Sequence, residues 1–261
     1  MIDALYVAAT GMRGHQLQID TIAHNLANLN TVGFRRGVVS FAEVSAALRL
    51  ASAAEPTFGE TTAATSMRGA GVISTVALSS TSGELKQTDE PLRLAIDGAG
   101  FLEVIRADGT PAYTRAGLLQ INEDRMLATA DGMPLAAQIE IPADASDVVI
   151  HQDGRVAVRT GETAEEQFIG QIELVSFPNP AALQAAGANL YVAPAAAGEP
   201  QIALPGESGM GALRQGFVET SNVQLTDELL TLMLAQRAFE LNSRVVQAAD
   251  QMLSITNSLP R

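Results

Sequence analysis

Cysteine and tryptophan are absent from this 261-residue chain, lysine occurs once, at Lys86, and aromatic residues make up only 4% of it. Without thiols, neither disulfides nor thiolate metal sites can form. Charge is sparse too: 17% of residues are charged, the net charge is −13, and Arg35-Arg36 is the only adjacent basic pair. That balance supplies no electrostatic footprint for nucleic acid or an anionic membrane, so neither partner is expected. No stretch reaches the roughly 18 apolar residues that a membrane span needs. The start, Met1-Ile2-Asp3-Ala4, has neither the basic nor the continuous apolar region of a cleavable secretory signal. Direct membrane insertion is not expected, and export would have to use another route.

The residues that carry chemistry are equally thin. His15 and His24 are nine positions apart, about 900° around a helix, so they face opposite sides and cannot form a metal pair. His151 stands alone near a turn, Lys86 lacks the glycine spacing of a phosphate loop, and there is no Gly-x-Ser-x-Gly elbow. The carboxylates are scattered, which leaves only a two-carboxylate hydrolase without a spacing signature to look for. No catalytic residue, cofactor site or metal site is expected, and the chain is read as not an enzyme.

What is present is helical periodicity at both ends. Ile2, Leu5, Ala9, Met12, Ile19, Ala23 and Leu26 keep one helix face in register, and Leu225, Leu229, Leu232, Ala235, Phe239, Val246, Ala249 and Leu253 repeat the pattern with Asn242 as a polar member. Ser221 and Gln224 have capping-box spacing before the second helix. Roughly 28 and 34 residues at about 1.5 Å each give rods of about 42 and 51 Å. A body of about 190 residues has a diameter near 40 Å, so the helices are as long as the body is wide. The second face of the first helix carries Gln18, Thr21, Asn25 and Asn28 in place of Lys and Glu, and reads as a contact surface. The competing reading is a two-helix hairpin lying across its own sheet.

Between the ends the period changes to that of strands. Residues 92–96, 101–105, 138–141, 148–150, 155–158 and 168–177 are strand-like, with Asp-Gly pairs at Asp97, Asp108, Asp131 and Asp153 supplying hairpin turns. The Gly98 and Gly100 pair suits a tight β connection. Residues 178–186 read as a turn and a short helix, and residues 46–54 as another. The fold class is α+β: a discontinuous, coiled-coil-like N- and C-terminal helical pair, extended connectors, and a mainly antiparallel β domain. The expected boundaries are 1–34 for the first helix, 35–91 for an Ala/Ser/Thr/Gly-rich connector, 92–198 for the β domain, 199–221 for the return connector and 222–261 for the second helix.

The strings at 5–12 (LYVAATGM), 25–28 (NLAN), 30–34 (NTVGF), 98–101 (GAGF), 216–223 (GFVETSNV), 236–243 (QRAFELNS) and 248–253 (AADQML) resemble, in order and over nearly the whole chain, the bacterial flagellar axial proteins of the rod and hook. Within that family the distal rod subunits are the best match, with another rod subunit of similar size as the second reading. The resemblance implies terminal helices forming an inner tube, β domains forming an outer shell, and no catalysis. It implies a homo-oligomer in an open helical filament that transmits torque. It also implies other rod proteins, the hook protein and the P and L ring proteins as partners, and type III export to a rod spanning the periplasm. The alternative from another class is a soluble β-domain binding module stapled by its terminal helices.

The candidate assembly residues are Leu5, Met12, Ile19, Asn25, Leu26, Asn28, Gly33 and Phe34 on the N-terminal side, and Leu229, Leu232, Phe239, Asn242, Val246, Ala249 and Leu253 on the C-terminal side. The Asn amides can bond between helices or end one helix, Gly33 reads as a helix stop with positive φ beside a Phe34 anchor, and Asn242 either fixes register or faces solvent. Ordering roughly 30 residues costs about 1 to 2 kcal/mol each, more than the stripe of one unpaired helix returns. Assembly is therefore expected to be coupled to folding of the ends.

Overall fold

The computed structural model describes residues 2–43, 72–160 and 166–258. Two helices, α1 (Ile2–Ala27) and α2 (Leu225–Ser258), flank a series of short strands. These are β1 (Gly37–Glu43), β2 (Val72–Leu78), β3 (Leu85–Gln87), β4 (Leu94–Asp97), β5 (Phe101–Ile105), β6 (Pro111–Thr114), β7 (Leu119–Ile121) and β8 (Leu127–Thr129). They continue as β9 (Ala145–Ile150), β10 (Arg155–Thr160), β11 (Glu166–Gln171), β12 (Leu174–Ser176), β13 (Gln184–Gly187), β14 (Leu190–Val192), β15 (Gln201–Ala203), β16 (Ala212–Gln215) and β17 (Phe217–Glu219). The chain divides into two compact units: residues 1–26, 37–77 and 224–261 form the first, and residues 27–36 and 78–223 the second. The α+β class holds, with antiparallel ladders predominating.

The second unit is the β body. A six-stranded sheet runs β13-β14-β6-β5-β12-β15 and a three-stranded sheet runs β11-β10-β9. Alternation places Leu102 and Val104 of β5, Val156 and Val158 of β10 and Leu174 of β12 in one fully buried cluster with Leu94, Leu127 and Leu213. A smaller aromatic cluster gathers Phe101, Tyr113, Phe177 and Tyr191. All four Asp-Gly glycines have positive φ, from 78° at Gly109 to 131° at Gly98, as tight connections require.

Several local expectations need correction. Residues 138–141 are not a strand: Gln138 sits at φ 44° and breaks the extended run, leaving only a bridge from Met126 to Glu140. The run 168–177 splits into β11 and β12, which belong to different sheets. Ile172 between them is buried and donates its N–H to the Gly154 carbonyl, so the chain turns inward there. The helix expected after Pro180 is a single 3-10 turn, Pro180–Ala182, without a side-chain cap, and the chain is extended again at β13. Ser221 forms no capping box; its Oγ accepts from Val223 N–H at 3.4 Å, and α2 begins on the Gln224 carbonyl, which accepts from Glu228 N–H. Residues 199–221, expected as a connector, hold β15, β16 and β17, paired to β12, β4 and β3. The expected short helix at 46–54 lies outside the described residues.

Candidate assembly interface

Within the first unit, two contacts among the described residues set the direction of the helices. A Cβ on Gly11 would stand 3.2 Å from the Asn242 amide nitrogen, and the Asn25 amide donates to the Glu228 carboxylate at 3.5 Å. Moving 14 residues up α1 therefore moves 14 residues down α2, so the helices are antiparallel, and the two contacts lie about 21 Å apart along the axes. On α2 the residues toward this contact recur at heptad spacing: Glu228, Ala235 and Ala249 are buried and Asn242 is half-buried. Leu232, Phe239 and Val246, also half-buried, flank them.

On α1 the intrachain face is not the apolar stripe. Ala8, Gly14, Ile22 and Asn25 are buried, whereas Met12, Ile19 and Leu26 are half-buried and Ala9 and Ala23 exposed. The buried set lies about 110° around the helix from the stripe at 100° per residue. Small residues let the partners approach: Gly14 leaves room for the Phe41 ring, which a Cβ would meet at 2.7 Å, and His15 lies against the same ring with centroids 5.6 Å apart. Asn25 satisfies both backbone groups of Gly37, donating to its carbonyl and accepting its N–H, each at 2.9 Å. The amide-bearing second face thus serves contacts inside the unit, fixing the start of β1 to α1.

Among the described residues of this unit, α2 carries an exposed apolar stripe. Leu230, Leu234, Leu241 and Val245 of α2 are 61%, 69%, 61% and 52% exposed. Their steps of four, seven and four are heptad steps, and they lie about 110° around α2 from the face turned to α1. Leu229 is also exposed, at 42%. The signal was in the sequence, but α2 carries two overlapping heptad stripes, and spacing alone does not say which one an intrachain partner covers.

The remaining candidates fall elsewhere. Leu5 and Leu253 lie on the helices, with side chains outside the described residues. Asn28 follows the end of α1, its carbonyl accepting from Thr31 N–H and its side-chain oxygen from the Thr31 hydroxyl. Gly33 is not a helix stop, since α1 ends six residues earlier; its φ of 68° lets the chain lie on the Arg115 carbonyl, 2.6 Å from where a Cβ would be. Phe34 is buried, and both belong to the second unit. There Gly33 N–H donates to the Glu219 carbonyl at 2.7 Å and Asn189 donates to the Val32 carbonyl at 2.8 Å. The Gly98 and Gly100 pair turns its carbonyls, not its N–H groups, inward to Arg115. That polarity is opposite to the one a phosphate loop presents.

The described residues thus hold a terminal helix at each end and a mainly antiparallel β body. Three family models match the chain: the "Flagella basal body rod protein" model at residues 5–35, the "Flagellar hook protein FlgE/F/G D1 domain" model at 95–158, and the "Flagellar basal body rod FlgEFG protein C-terminal" model at 214–259. The flagellar basal-body rod protein FlgG of Caulobacter vibrioides is 38% identical over 260 residues, covering 99% of each chain. Those of Borreliella burgdorferi and Bacillus subtilis are 36% and 38% identical with 100% of each chain covered. The chain belongs to the FlgG family of flagellar basal-body rod proteins. It is a structural rod subunit, and the alternative assignment to FlgF is the less supported one. The FlgG family is a structural family and not an enzymatic one. Among the described residues no helix is long and apolar enough to cross a membrane.

Proposed function

We propose that this chain polymerises through its terminal helices into an open helical filament, the distal rod, that carries torque from the motor to the hook. The observation that supports it is the exposed stripe Leu230, Leu234, Leu241 and Val245. Four large apolar side chains more than half in water are an association surface, and covering them would contribute roughly 4 to 8 kcal/mol gross per subunit. Contacts between two different faces of identical subunits give an open filament when the rotation between neighbours does not close into a ring. The half-buried Met12, Ile19 and Leu26 of α1 supply such a second face.

On this reading the terminal helices are the assembly module. The partners are further copies of the chain, other rod proteins, the hook protein and the P and L ring proteins. Delivery is by the flagellar type III export apparatus to a rod that spans the periplasm. Electron microscopy of purified protein over a concentration series tests the reading: filaments above a critical concentration are expected. A monodisperse monomer at every concentration, with protease-resistant helices, would instead favour a β-domain binding module.

A further inference from the structure

Within the β body, Glu219 lies between two arginines. Its Oε1 accepts from Arg35 Nη2 at 2.9 Å and its Oε2 from Arg115 Nε at 2.8 Å, with the three side chains 1%, 5% and 3% exposed. Gly83 N–H also donates to Oε1, at 2.9 Å. The other acceptors are neutral: Arg115 reaches the carbonyls of Ile96, Gly98 and Gly100, and Arg35 those of Ser80 and Thr81 and the Ser82 hydroxyl. Two buried cations thus share one carboxylate, and Nε of Arg35 has no partner among the described residues. Burial, followed by repulsion from Arg115, lowers the Arg35 pKa to about 10, so it keeps its charge at neutral pH. An uncompensated charge in low dielectric is costly.

Both arginines line a cleft of about 380 Å³ whose walls include Leu78, Phe101 and Phe177. That volume falls in the range of small-molecule sites, which combine apolar walls with a few placed polar groups. The Phe101 and Phe177 rings stand 6.2 Å apart at 59°, and the Arg115 guanidinium lies 5.8 Å from the Phe101 centroid. The positive charge in excess is one, and a guanidinium favours carboxylates. We propose that this cleft binds a small monocarboxylate carried on an apolar or aromatic body, the carboxylate toward Arg35 and Arg115 and the body against Phe101 and Phe177.

The test is an NMR titration of the full-length chain, kept below its polymerisation concentration, with phenylacetate, its neutral isostere phenylacetamide, and inorganic phosphate. Phenylacetate should give saturable shifts at the amides of Gly100 and Phe101, with phenylacetamide at least tenfold weaker and phosphate without effect. Arg35→Gln should abolish the shifts, but it disturbs a buried ion network and can unfold the unit. Ser80→Trp, at an exposed position on the cleft wall, fills the space and leaves Glu219 and both arginines in place. It should remove phenylacetate binding at unchanged thermal stability. Equal binding of acid and amide, saturation by phosphate, or undiminished binding to a folded Ser80→Trp variant would overturn the assignment. None of these outcomes depends on whether the chain polymerises.

Discussion

The two units solve the problem of burial in different ways. In the β body Leu94, Val104, Leu127, Val156 and Leu174 are 0 to 1% exposed, covered by other residues of the same unit. Among the described residues of the helical unit the buried positions are mostly small or polar, Ala8, Gly14, Asn25, Glu228, Ala235 and Ala249 beside the single large Ile22, while Leu230, Leu234 and Leu241 of α2 face outward. A unit that closes its core with large side chains is complete alone. One that closes mostly with alanine, glycine and amides, and leaves a row of leucines outside, has apolar contacts to offer another molecule.

Experiments that separate the two units test this contrast, and the largest effect is expected inside the β body. Glu219→Ala leaves Arg35 and Arg115 buried without a counter-charge, and removing one partner of a buried ion pair costs about 3 to 5 kcal/mol. Urea unfolding followed by a β-body probe should show that loss. A β body with wild-type stability would mean that the two arginines can relax into solvent, and that the network does not hold the unit together. Next in size is Leu234→Asp on the exposed stripe. Placing a charge in a copy-to-copy contact should raise the critical concentration for filaments about 30- to 100-fold, equivalent to roughly 2 to 3 kcal/mol. The unfolding of the β body should not change. Unaltered polymerisation would remove this stripe from the interface.

Asn25→Leu tests the amide face within the helical unit. It removes a donor and an acceptor from Gly37 and the bond to Glu228, and a buried backbone group left without a partner costs about 1 to 3 kcal/mol. Amide hydrogen exchange at Gly37 and along α1 should quicken, while exchange in the β body stays as it was. If Gly37 exchanges no faster, the amide face does not hold β1 in place.

The sequence exposed the parts of the fold that depend on local chemistry. Asp108-Gly109 and Asp153-Gly154 marked their hairpins because an Asp-Gly turn needs only its own backbone, and β5 was expected with the ends it has, Phe101–Ile105. The run 168–177 looked like one strand because hydrophobic pattern cannot report that Ile172 is drawn to Gly154, eighteen residues earlier in the chain. Gly33 looked like a helix stop for the same reason: its positive φ was legible, but its purpose lies in Arg115, a residue far away in sequence. At the interface the stripe of α1 was recognised but its geometry was not. Antiparallel pairing put Gly11 and Asn25, rather than Met12 and Leu26, toward α2, and only coordinates show that the second heptad stripe of α2 is the open one.

The smallest effect concerns a like-charge pair in the β body. Antiparallel pairing of β12 with β5 sets Leu174 opposite Leu102 and Val175 opposite Phe101, so the same register brings Glu173 beside Glu103. Burial first, and repulsion from Glu173 second, raise the Glu103 pKa above its ordinary value of 4.5. The sign follows from that direction. Below the ordinary carboxylate range Glu103 is protonated in both folded and unfolded chains and carries no penalty. As pH rises through that range and then through the raised value, ionisation becomes costlier in the folded state and stability is lost. Glu103→Gln removes the penalty, so the variant should melt higher than the parent at pH 7 and with it at pH 3. Because Glu103 is only half-buried, the gain is below about 1 kcal/mol after solvent screening, or roughly 2 °C. A variant that melts lower at pH 7 would show that the ionised carboxylate is compensated in the folded chain. The β body would then tolerate paired charge at its surface as readily as the helices tolerate exposed leucine.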